Sequence, residues 1–358
     1  MSKLSSNQWH QSFVTLMTSQ PIDHLMADIT YYIQDGVYIP ATISKSVADN
    51  CYAVSPLTLI AGYALDEIPK IDNYWIRIAC VGLVKSMRAW LSFAKLDCVQ
   101  TLNNQCLSTN MYSQDWRNID IVSLRQQALN KSPNTALVLR SLNAVQHSHL
   151  IKSLNDDHWV SLVTRQVYLQ HQWQNFSFNR DLKKDMALLN EQHWQFKPLS
   201  TLNEYQRAQE LYDLLYLDKY SQNNIHFTVE YLQHAVEAEM LSLFGLFYRG
   251  EMLATLGMVI IDGDMTCPIF GYQTDKSQKL GLYRRISAFS INYAKENNLR
   301  FNMSSGAPTF KVNRKAIPCI EYSFIYTAHL PWFQRMTWRI LSGLGRMVYR
   351  PLLTHYKL

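Results

Sequence analysis

The residues best suited to chemistry lie close together in the chain, between Cys267 and Tyr326. A strand-like apolar run ends at Tyr272, a polar loop carries Gln278-x-x-Gly281, a stretch of helical period runs from Leu282 to Glu296, and a second strand follows at 300–304. A strand that passes into a helix through a short loop leaves N–H groups unpaired at the helix start, where the helix dipole adds partial positive charge. A pyrophosphate fits such a place, so the order suits a phosphorylated acyl donor. Gln278, Lys279, Leu280, Gly281, Leu282, Tyr283 and Arg284 would line the cradle, Gly281 because no Cβ obstructs the approach. Arg284 and Arg285 either add charge-assisted contacts to phosphate or form a solvated helix face.

Downstream, Ser304-Ser305-Gly306 precedes Lys311, Asn313, Arg314 and Lys315, a basic cluster able to hold a phosphate, a carboxylate or an RNA backbone. Acylation of an amine needs a neutral attacking nitrogen and a base to take its proton. Glu321, Asp275 and Tyr272 are candidates for that base, and Tyr322 or Tyr283 for a proton donor to the departing group. The chain has 21 tyrosines, however, and most must serve packing. His147-x-His149, with Asp156, Asp157 and His158 nearby, offers donors without a further ligand at defining spacing, so no metal is expected. Ser304-Ser305-Gly306 also lacks the G-x-S-x-G elbow of a serine nucleophile.

The elements that must position these residues are partly readable. A helical pattern starts after Ser55, with Pro56 at its first position, and runs to about Lys95 with a break at Pro69. Strand patterns follow at 96–102, 135–142 and 160–169, and strands alternating with helices indicate an α/β layer. From about Gln170 to Pro198 the chain turns polar, which places a boundary between halves 1–195 and 196–330. The second half opens on a helix at 202–217 capped by Thr201 and another opened by Thr228, with Tyr231 three residues on and thus no capping box. Strands at 241–248 and 252–261 flank Arg249-Gly250-Glu251, and Asp262-Gly263-Asp264 turns into 265–272. The first fifty residues give weak signals.

Residues 331–358 hold Arg335, Arg339, Arg346, Arg350 and Lys357 with no acidic residue, alongside Trp332, Phe333, Trp338 and Ile340. Such a basic amphipathic helix reads as an anionic membrane contact, or else as a terminal helix packed on its own domain. At 358 residues the chain can bury a substantial core, and a 17% charged fraction against 47% hydrophobic implies a rather apolar surface. A net charge of +6 and a pI near 8.9 favour anionic partners without choosing among them. Six scattered cysteines without a C-x-x-C pair indicate a reducing compartment. No secretory signal or membrane-spanning run is read, so the expected location is the cytoplasm, with a peripheral place at the inner membrane face through 331–358.

Antiparallel strands, then a strand, a Q-x-x-G loop, a helix and another strand, resemble the acyl-CoA N-acyltransferase (GNAT) superfamily. Its phosphate loop has the form Gln/Arg-x-x-Gly-x-Gly/Ala; here Gln278 and Gly281 match and Tyr283 stands where a small residue is usual. LFYRGEMLATLGMVI (246–260), LGLYRRISAFSINYAKENNLRFNMSSG (280–306) and FKVNRKAIPCIEY (310–322) are similar to the duplicated branch that includes the Fem-type aminoacyl transferases and related bacterial proteins. LSTNMY (107–112), RSLN (140–143) and RQVYL (165–169) extend the likeness into the first half. The resemblance implies an α/β (α+β) fold of two GNAT-like halves, each a mixed, mainly antiparallel sheet flanked by helices. It implies acyl-CoA or acetyl-CoA as donor and an amine on a metabolite or lipid as acceptor. The alternatives are Fem-type transfer from aminoacyl-tRNA and a catalytically silent module at a membrane surface. Phe310-Lys311 resembles a Phe-Lys pair common in that branch, which makes Lys311 the foremost substrate-site residue beside Ser304, Ser305, Asn313 and Arg314. In this superfamily strand splay and backbone N–H groups supply much of the catalysis.

Overall fold

The computed structural model describes residues 4–356 apart from 46, 48 and 175, so Lys357 lies outside the described residues. The chain opens with α1 (Ser6–Met17), started by a capping box between Ser5 and Gln8, and burying Trp9, His10, Phe13 and Met17. β1 (Ile22–Asp23) precedes a hairpin of β2 (Asp28–Gln34) and β3 (Val37–Ser44), whose tight turn places Asp35 and Gly36 at positive φ. An excursion through α2 (Tyr63–Glu67) and α3 (Tyr74–Phe93), the latter capped by Asn73, leads to β4 (Val99–Leu102). Then come α4 (Ile121–Lys131), β5 (Ala136–Asn143), α5 (Ser148–Asp156), β6 (Val160–Gln170), α6 (Arg180–Leu188) and β7 (Trp194–Pro198). The remainder runs α7 (Leu202–Leu215), β8 (His226–Phe227), α8 (Val229–Glu237), β9 (Ser242–Tyr248), β10 (Glu251–Ile261), β11 (Asp264–Tyr272) and α9 (Leu282–Glu296). It closes with β12 (Arg300–Asn302), α10 (Pro308–Val312), β13 (Ile317–Tyr326), α11 (Trp332–Leu344) and α12 (Arg350–Tyr356).

Eleven strands form one continuous sheet in the order β2-β3-β4-β5-β13-β6-β12-β11-β10-β9-β7, with helices on its faces. All neighbours are antiparallel except β4 with β5 and β11 with β12. Each parallel pair is the product of a strand, a loop, a helix and a return strand, as right-handed crossovers require. Two features of this sheet set up the site. β13, from the end of the chain, inserts between β5 and β6, and its register puts Glu321 opposite both Asn143 and Arg165. β11 and β12 pair only at 264–266 with 300–302; β12 then ends while β11 continues to Tyr272, so a gap opens between them.

The helices are fixed by packing. α9 buries Leu282, Ile286 and Ile291 in a cluster with Leu256, Met265 and Phe301, beneath β10, β11 and β12. α7 crosses β11 so closely that a Cβ on Gly271 would meet the Leu211 carbonyl at 2.4 Å, so only glycine lets this strand end sit where it does. Thr201 forms a capping box with Glu204, Thr228 caps α8 through Tyr231 N–H, and Pro69 lies in the short 3-10 turn between α2 and α3. The polar stretch 170–198, read as a boundary, carries α6 and β7, and the weakly patterned first fifty residues carry α1 and the β2–β3 hairpin.

Candidate active site

The loop before α9 turns on Gly281, whose φ of +64° is the left-handed conformation that glycine adopts without strain. Of the seven residues expected to form the cradle, the main-chain N–H groups of 279–284 divide into two sets. Those of Lys279, Leu280 and Gly281 are turned inward, onto Ser277 Oγ, the Ser277 carbonyl and the Gln278 carbonyl. Those of Leu282, Tyr283 and Arg284, the first three of α9, have no acceptor among the described residues, and no side chain caps the helix. The positive end of the helix dipole is therefore open at the mouth of the gap between β11 and β12.

The side chains around this mouth are not free. Asp185, fully buried on α6, accepts from Arg284 Nε at 2.6 Å and from Arg314 Nε at 2.5 Å. Arg314 also lies on the Phe310 ring at 3.4 Å. Arg285 points away into the protein, donating to the Leu280 and Leu188 carbonyls and to Glu191 with its guanidinium over Trp194. The Tyr283 ring stands between Phe270 of β11 at 5.4 Å and Phe310 of α10 at 4.7 Å, with Tyr272 beyond, and thus links β11 to α10. Gln278, Lys279, Asp275 and Asn313 are exposed; the Asn313 carbonyl accepts from Asn179. Because Asp185 pairs with two arginines at once, Asp185→Ala is expected to destabilise the fold by about 3–5 kcal/mol through the unpaired, buried Arg314. Urea unfolding measures it, and an unchanged midpoint would contradict the clamp.

A second cluster occupies the inner end of the gap. Arg165 on β6 donates from Nε to Glu321 at 2.7 Å, from Nη1 to Ser304 Oγ at 3.1 Å, and from Nη2 to the Ser108 carbonyl at 2.6 Å and Thr109 Oγ1 at 2.9 Å. One guanidinium thereby ties the 107–112 loop of the first half to the loop after β12 in the second. Lys311, buried on α10, donates to the carbonyls of Met303, Ser304 and Ser305 at 2.7, 3.2 and 2.7 Å, fixing that loop with Ser304 and Ala307 at positive φ. Burial, reinforced by the Arg165 charge, brings the Lys311 ammonium down to about 7, while the three carbonyls favour keeping its third proton. Cys267, on β11 where the strands part, is pushed up by burial and so stays a thiol. Tyr272 is likewise raised by burial, and Tyr322 packs against the first-half core beside Phe324.

The structure thus gathers Glu321, Ser304 and Lys311 around Arg165, and Arg284, Arg314 and Tyr283 around Asp185, Phe270 and Phe310. Arg165, Asp185, Ser108 and Thr109 carry no signal of a role in the bare sequence. Arg165 and the 107–112 loop lie within motifs of the likeness, and Asp185 within a stretch of ordinary polar composition. His147 accepts from the Asn143 N–H at 3.1 Å and, held neutral by burial with a pKa of about 3, lines a cavity of about 360 Å³ with Trp116, His149, Asp264 and Arg300. That cavity lies at the opposite end of β12 from Ser304. Among the described residues no group of three or more metal-type side chains gathers.

A sheet in which strand β11, loop and helix α9 lead to a diverging parallel strand, with a last strand returned to the first half, is the GNAT/Fem-like fold. Solved structures that share it include FemX, with a TM-score of 0.54 at 9% identity over 95% of this chain and 99% of that one. L-PGS from Bacillus licheniformis gives 0.53 at 10% identity over 96% and 98% of the two chains. The C-terminal domain of a protein assigned as a lysylphosphatidylglycerol synthetase from Agrobacterium fabrum gives 0.53 at 9% identity over 89% and 93%. No protein-family model and no curated protein matches the sequence.

Proposed function

We propose that this chain transfers an aminoacyl group from an aminoacyl-tRNA ester to an amine acceptor, with the reacting carbonyl in the gap between β11 and the loop 303–311. The observation that carries this reading over the acyl-CoA one is Tyr283. Its ring, held between Phe270 and Phe310, stands where the acyl-CoA phosphate loop has a small residue, so a coenzyme pyrophosphate would meet a bulky side chain there. Asp185 engages both Arg284 and Arg314 and offsets one of their two charges, which weakens the pull of the nearest cations on a coenzyme pyrophosphate. The likeness in fold to FemX and L-PGS over nearly the whole chain supports the same reading.

Chemically, an amine attacking an ester builds negative charge on the carbonyl oxygen before the C–O bond breaks and the tRNA ribose oxygen leaves as a hydroxyl with the proton the amine gives up, and preorganised donors lower that barrier. The donors at hand are the Ser304 hydroxyl and the second Nη1–H of Arg165, held in place by Glu321 and by the Lys311-braced loop. The open N–H groups of Leu282, Tyr283 and Arg284 suit a phosphate of the donor's carrier. Acyl transfer from coenzyme A is the second reading, and those three amides are what favours it. Incubation with a mixed pool of charged tRNA and amine acceptors decides between them. Loss of the ester-linked amino acid to acceptor, with no acyl-CoA binding in calorimetry, is expected. Tight acetyl-CoA binding without charged-tRNA use would overturn the proposal.

A further inference from the structure

Two neighbouring helices expose more apolar surface than folding can explain. In α3 only Leu91 is buried among twenty residues, while Trp75 is 76% exposed, Leu83 70% and Phe93 76%. In α11 and beyond, Trp332, Met336, Ile340 and Leu344 recur every four residues along one exposed stripe, continued by Met347 at 73%. The helices adjoin: Phe93 meets Phe333 edge-on at 5.3 Å, and Val84, Met87 and Trp90 of α3 pack against the cluster that holds Trp338 and Leu341 of α11. α11 is anchored from beneath, Ser342 Oγ donating to the Ser161 carbonyl at 2.7 Å. Its outer stripe is therefore presented outward on a fixed base.

Charge selects the occupant. Residues 74–93 carry Arg77, Lys85 and Arg88, residues 331–356 carry Arg335, Arg339, Arg346 and Arg350, and neither stretch holds an Asp or Glu. Of these, Arg88 pairs with Asp49 and Arg77 lies over Tyr74. A second copy of the chain seated here would bring cations against cations, whereas an anionic lipid surface offers acyl chains to the tryptophans and leucines and phosphates to the arginines. No helix among the described residues is long and apolar enough to cross a membrane, so the contact lies in the interface plane.

We infer that α3 and the α11–α12 segment together form a docking surface for an anionic lipid bilayer. The inference goes beyond the 331–358 segment by assigning half of the contact to α3, and it holds whichever donor is used. The test is co-sedimentation of the full chain with vesicles of phosphatidylcholine containing roughly one-third phosphatidylglycerol, against pure phosphatidylcholine, at low and high salt. Binding to the anionic vesicles is expected to exceed binding to neutral ones by about tenfold and to weaken with salt. Trp75→Glu with Leu83→Glu, and separately Met347→Glu, should each lower it by at least about tenfold. Thermal unfolding should not change, since these side chains are largely exposed. Absence of sedimentation with anionic vesicles, or equal sedimentation of the α3 variant, would overturn the inference. So would a lipid-free dimer in sedimentation velocity that the same substitutions dissolve.

Discussion

Replacing Glu321 with alanine is expected to destabilise the folded chain by about 3–5 kcal/mol and to lower group transfer by about a hundredfold or more. Glu321 is 3% exposed and grips Arg165 through both carboxylate oxygens, at 2.7 and 3.3 Å. Removing it strands a guanidinium between two loops that it must hold in register. A buried pair replaced as a whole behaves differently, because apolar residues of similar volume can fill the space without an uncompensated charge. Glu321→Leu combined with Arg165→Met should therefore recover most of the stability and none of the activity. Urea unfolding of the single and double variants gives the coupling between the two residues. A Glu321→Ala protein as stable as the parent would show that the pair does not join the halves.

Lys311→Met is expected to cost about 3 kcal/mol, since it leaves three carbonyl oxygens of the 303–305 loop without their donor at about 1 kcal/mol each. It should also alter how stability depends on pH. Burial brings the Lys311 ammonium from 10.5 down to about 7 in the folded chain. Between about pH 7 and 10.5 the unfolded chain therefore holds more protons at this residue than the folded one, and the parent gains stability as pH rises through that range. Below pH 7 both states are charged and the contribution is constant. The methionine variant lacks this gain, so the stability gap between the two proteins should widen from pH 7 to pH 9. Parallel curves would mean that the carbonyls outweigh burial and the ammonium is not depressed. Turnover should fall with the loop, because Ser304 would lose its station beside Arg165.

Much of the second half was legible because its signals are local. The hairpin-like strand runs at 252–261 and 265–272, the Asp262-Gly263-Asp264 turn and the 3.6-residue period of 282–296 each act within a few residues, and the folded chain forms β10, β11 and α9 there. Ser304 and Lys311 could be proposed as site residues because they follow the short strand that comes after α9. What the sequence hid is non-local. The insertion of β13 between β5 and β6 is set by pairing across some 150 residues, and only that pairing puts Arg165 beside Glu321. Asp185 sits in DLKKD, a charge run that reads as a solvated face, yet α6 turns that carboxylate inward onto two arginines. Tyr283 was visible as a departure from the phosphate-loop pattern, but its place between Phe270 and Phe310 depends on α10, five residues long and without a period of its own.

The central claim, that a donor's carrier meets the start of α9 while its carbonyl reaches the Arg165 cluster, is tested most directly by hydrogen–deuterium exchange with and without charged tRNA. The amides of Leu282, Tyr283 and Arg284 have no acceptor among the described residues and should exchange fast when the chain is alone. Bound donor should slow them by about tenfold or more, together with the 303–306 loop, in the parent and not in the Arg165→Met variant. Protection confined to other parts of the chain, with 282–284 exchanging at its unbound rate, would contradict the account.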